Sequence, residues 1–96
     1  MPSYLVETFL ARCHAERRAA GEARARSAVE ALNRGGVRVG FDGVIHVPED
    51  ETCFFVFVAG SPAEVERAAQ LAELDPVRIV EAVTSRKETT CTDESP

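Results

Sequence analysis

Two glutamates stand in short, mostly apolar segments: Glu7 in Tyr-Leu-Val-Glu-Thr-Phe-Leu at residues 4–10, and Glu81 in Val-Arg-Ile-Val-Glu-Ala-Val at residues 77–83. A carboxylate in an apolar strand needs a partner. If the two strands are neighbours, Glu7 and Glu81 can lie close together, with Arg38, Arg78 or His46 beside them in a ligand-binding pocket. Crowded like charges in a partly dry site raise one pKa, which suits an acid/base group or a hard-oxygen metal site. The plainer alternative has each carboxylate paired with an arginine across strands. Cys13-His14 sets a soft and a borderline metal ligand side by side, and Glu16, His46 or a second subunit would have to complete the set. His46 is a general base if it faces a cavity and a solvated edge histidine if it does not. Cys53, inside an apolar run, reads as a small buried hydrophobe. Cys91 has no activating neighbour. The chain contains no Gly-rich phosphate loop, no Ser-His-Asp arrangement and no HExxH, so no catalytic residue is assigned.

The elements that must position these groups follow from pattern and punctuation. Residues 4–10 form a first strand. From about residue 14 to 34 the composition turns to Ala, Arg and Glu, a helix whose inner face is Ala25, Ala28, Val29 and Leu32, with Gly21 or Glu22 one turn earlier. Asn33-Arg34-Gly35-Gly36 stops it. Residues 37–47 alternate as a second strand, and Gly40 and Gly43 suggest a bulge that leaves the facing of Ile45 and His46 open. Pro48 to Glu51 turns the chain into a third strand, residues 52–59, apolar on both faces: Cys53, Phe55, Phe57 and Ala59 one way, Phe54, Val56 and Val58 the other. Such a strand is central and covered on both sides. Ser61-Pro62-Ala63-Glu64 matches a capping box and starts a second helix with Val65, Ala68, Ala69 and Ala72 inward, ending near Leu74. Residues 77–83 are the last strand.

That order is βαββαβ, an α+β ferredoxin-like arrangement with strands one and three central and strands two and four at the edges. At 96 residues the chain is one domain over residues 1–86, and the polar, acidic residues 87–96 are expected to be a disordered tail. Three widely spaced cysteines indicate neither a disulfide framework nor a zinc knuckle. No signal or spanning segment stands out, so a cytoplasmic protein is expected. The net charge of -5 divides into +2 for residues 1–48 (seven Arg, five acids) and -7 for residues 49–96 (four bases, eleven acids). The acidic half repels phosphate backbones, and the Arg-rich helix lacks aromatics and reads as a solvated face; no nucleic-acid partner is expected. Two helices cover one face of a four-stranded sheet. A second copy of the chain is the expected cover for the other, making a dimeric α+β barrel.

Tyr-Leu-Val-Glu (residues 4–7), Val-Pro-Glu-Asp-Glu-Thr-Cys (47–53), Ser-Pro-Ala-Glu (61–64) and Arg-Ile-Val-Glu-Ala (78–82) resemble a bacterial family of small domains of unknown function that includes nickel-binding proteins. The resemblance covers about residues 3–84. It implies a dimeric ferredoxin-like domain and, for its metal-binding members, a divalent transition metal such as nickel held by several histidines. At those places this chain has Thr8 and Phe9 in the first strand and Ala69 and Leu74 near the second helix, keeping His14 and His46. The expected function is a small non-enzymatic binding protein holding a metal ion or small ligand in a dimer cavity. The alternative is a small cavity enzyme of the dimeric α+β barrel type, monooxygenase- or isomerase-like, by fold analogy alone.

Overall fold

The structure is a computed structural model and describes residues 1–83; the expected tail lies outside them. The chain runs β1 (Ser3–Phe9), a 3-10 turn (Arg12–His14), α1 (Arg17–Arg34), β2 (Val39–Val47), a second 3-10 turn (Pro48–Asp50), β3 (Thr52–Ala59), α2 (Pro62–Leu71) and β4 (Arg78–Ala82). All pairings are antiparallel and the strand order is β2-β3-β1-β4. This is the expected ferredoxin-like α+β arrangement, with β1 and β3 central.

Strict burial alternation along β1 and β3 assigns the two faces. Tyr4, Val6 and Thr8 of β1 and Cys53, Phe55, Phe57 and Ala59 of β3 point to the helices. There they join Gly21, Ala25, Ala28, Val29 and Leu32 of α1 and Val65, Ala68 and Ala69 of α2. The small residues on both helices allow close approach to the sheet. Gly21 is the extreme case, since a Cβ there would stand 2.9 Å from Phe55 Cζ.

Local chemistry moved several boundaries. α1 starts at Arg17 rather than near His14, because residues 12–14 wind as a 3-10 turn closed by His14 N–H to the Ala11 carbonyl (2.9 Å). β2 starts at Val39 rather than Val37, because the Val37 N–H caps α1 by donating to the Leu32 carbonyl at 2.9 Å. The capping box of α2 is not made: Ser61 gives no side-chain cap, and Glu64 Oε1 accepts from the N–H of Gly60, the residue before the N-cap, at 3.0 Å. α2 ends at Leu71, where Glu73 turns left-handed (φ 58°) and Leu74 tucks back into the core.

The bulge expected in β2 falls between Phe41 and Gly43, with Gly43 at φ 136°. One extra residue switches parity. Val39 and Phe41 before the bulge and Val44 and His46 after it therefore all pair with inward-facing residues of β3: Ala59, Phe57, Phe55 and Cys53. Ile45 is sent to the other side.

That other side is an open apolar face. Leu5 of β1, Phe54, Val56 and Val58 of β3 and Val80 of β4 are half-buried, and Ile45 of β2 is 52% exposed. The registers Leu5↔Val56, Leu5↔Val80 and Ile45↔Phe54 make these side chains a continuous patch across all four strands.

Candidate functional site

The sheet register separates the two glutamates expected to meet. Glu7 pairs directly with Arg78, and the Arg78 Nε–H donates to Glu7 Oε1 at 2.7 Å on the open face. Glu81 pairs with Tyr4, three residues from Glu7 along β1, and so points to the helix side. Two carboxylates on opposite faces cannot share a proton or a cation. The cross-strand ion pair is the arrangement found.

The remaining candidates are dispersed. Arg38 is exposed ahead of β2, at the end of the sheet away from Glu7, in a shallow cleft with Met1, Gly36, Gly60 and Glu64. His46 lies on the helix side of β2 opposite Cys53, and its Nε2 is buried without a hydrogen-bond partner among the described residues. Cys13 is an exposed free thiol in the turn after β1, and His14 Nδ1 lies 3.6 Å from Glu16 Oε2. Among the described residues no group of three or more His, Cys, Asp or Glu is placed to hold a metal.

One cleft does gather chemistry, on the helix side at the end of the sheet where β1 leaves. Its floor is Thr8, Leu10, Cys53 and Phe55, and it encloses about 200 Å³. Arg17, Arg18, Arg24 and His14 stand around it. The Thr8 hydroxyl donates to the Cys53 carbonyl at 2.8 Å, pinning the two central strands beneath. Burial pushes the Cys53 thiol above its usual pKa; the Arg18 charge opposes this and Glu22 adds to it. The thiol is thus a neutral part of an apolar floor and not a nucleophile.

No family model, curated protein or solved structure matches the chain. The arginines of the cleft were visible in the sequence as Arg17, Gly21 and Arg24 at i, i+4 and i+7, one side of a helix. They pass for a solvated charged face until the end of β1 and Cys53 are brought beneath them.

Proposed function

We propose that this chain is a small non-enzymatic binding protein that works as a homodimer, two open sheet faces meeting to enclose a ligand cavity. The observation that supports this most directly is the uncovered patch of Leu5, Ile45, Phe54, Val56, Val58 and Val80, continuous across the sheet and flanked by the Glu7–Arg78 pair. A patch of that kind is characteristic of an association surface. A second copy matches it by symmetry, since a two-fold contact sets the same patch against itself. The Glu7–Arg78 pair then supplies the polar handle of an otherwise apolar cavity, which suits a small ligand with at least one hydrogen-bonding group. The resemblance to the nickel-binding-like family supports the same dimer.

Sedimentation equilibrium at micromolar concentration tests the reading. The wild type is expected as a dimer. Val56→Glu, which would bury a charge at the centre of the contact, is expected as a folded monomer or as aggregate. A well-folded wild-type monomer would refute the dimer. Native mass spectrometry and metal analysis of protein purified without an affinity tag then identify what, if anything, the cavity retains.

A further inference from the structure

We propose that the cleft between the first turns of α1 and the β1–β3 end of the sheet binds a small organic anion, a carboxylate carrying a short aromatic or branched apolar body. Three observations converge there. The ion pairs among the described residues are His14–Glu16, Arg26–Glu22 and Glu7–Arg78, so Arg17, Arg18 and Arg24 surround the cleft with no carboxylate partner among those residues. Arg24 is held in place by its Nε–H, which donates to the Ala72 carbonyl at 2.8 Å. Its Nη2 stands 3.9 Å from where a Cβ on Gly21 would lie, at the wall of the cleft. A guanidinium tethered through Nε keeps its terminal N–H groups for a planar anion.

The second observation is the start of α1. Its first turn carries Arg17 and Arg18 and no acidic residue, and the Glu16 side chain makes no cap. Cations at the positive end of a helix are unfavourably placed, and an anion bound beside them turns that repulsion into attraction. The third is the floor. Leu10, Phe55 and Leu74 are buried apolar side chains and the Cys53 thiol is held neutral. The site is therefore wet and positive at its mouth and apolar beneath. A cleft of about 200 Å³ has room to seat a small acid.

The test uses benzoate as probe, with benzyl alcohol as its neutral analogue and inorganic phosphate as a purely ionic one, by titration calorimetry and amide NMR on the full chain. Benzoate is expected to saturate, with amide shifts concentrated at Thr8, Gly21 and Cys53. The exposed pair Arg17→Gln/Arg18→Gln is expected to keep the circular dichroism of the wild type and to weaken benzoate about tenfold or more. Equal affinity for benzyl alcohol would reduce the cleft to an apolar hole, and equal affinity for phosphate would remove the role of the floor. Each overturns the proposal, as does unchanged benzoate affinity in the double variant or no saturation by roughly 10 mM. The cleft lies on the opposite face of the sheet from the proposed dimer contact, so wild-type protein is expected to bind benzoate with the same affinity per chain whether sedimentation shows it as dimer or as monomer. The two proposals therefore fail separately.

Discussion

Gly21 of α1 is seated on Phe55 of β3 so closely that a Cβ at Gly21 would come within 2.9 Å of the ring's Cζ and 3.3 Å of its Cε2. Helix propensity alone favours Gly21→Ala by about 0.5–1 kcal/mol. Here the added methyl must push α1 off the sheet or tilt a ring that is 5% exposed and already packed against Phe41, and overpacking of that kind costs about 1–3 kcal/mol. Gly21→Ala is expected to lower the urea midpoint; a raised midpoint would show that Phe55 gives way freely.

Thr8 is a buried polar residue in the core, and its hydroxyl donates to the Cys53 carbonyl. Thr8→Val keeps the shape and removes the donor, so a loss of about 1 kcal/mol in denaturant unfolding is expected. No loss would mean that the hydroxyl contributes nothing net to holding β1 against β3.

Glu7 and Arg78 should couple energetically, and Glu7 and Glu81 should not. A double-mutant cycle with Glu7→Gln and Arg78→Gln is expected to give a coupling of about 0.2–1 kcal/mol, modest because Arg78 is largely exposed. The cycle of Glu7→Gln with Glu81→Gln is expected to be additive within about 0.5 kcal/mol. A larger coupling between the two glutamates would contradict their placement on opposite faces.

The Cys53 thiol sets a pH dependence whose sign follows from burial. Its folded pKa lies above the reference of 9.0, so above that pH the unfolded chain releases the proton more readily than the folded one. Its contribution to stability is fully present below about pH 9 and is lost as pH rises through the folded value. In a chain with Cys13 and Cys91 changed to Ser, unfolding free energies at pH 8 and pH 10 are expected to differ more for the parent than for its Cys53→Ala variant. Equal differences would show that the thiol ionises as freely folded as unfolded.

Much of this architecture is written in local pattern. The Cys53, Phe55, Phe57, Ala59 face of β3, the inward stripe Ala25, Ala28, Val29 and Leu32 of α1, and the Val65, Ala68, Ala69 stripe of α2 are each read from residues a few positions apart, and each is buried as those patterns imply, while the second apolar face of β3 is left open within one chain. Helix starts were less legible. Whether residues 12–16 continue α1 or wind as a 3-10 turn depends on bonds to the rest of the chain, such as the Arg12 N–H to Glu51 Oε2 contact at 3.0 Å.

The sequence by itself determined which residues are strand, which are helix and which strands are central, because hydrophobic period and turn chemistry act over a few residues at a time. Only the tertiary structure decided which side chains meet. Register between β1 and β4 put Glu7 against Arg78 and sent Glu81 to the other face. A single extra residue at the Phe41/Gly43 bulge turned His46 inward beside Cys53, and the docking of α1 over the end of β1 made a cleft from arginines that look like a solvated helix face. Side chains in a strand alternate with period two, so a shift of one residue in pairing reverses every contact while leaving the local pattern of the sequence unchanged.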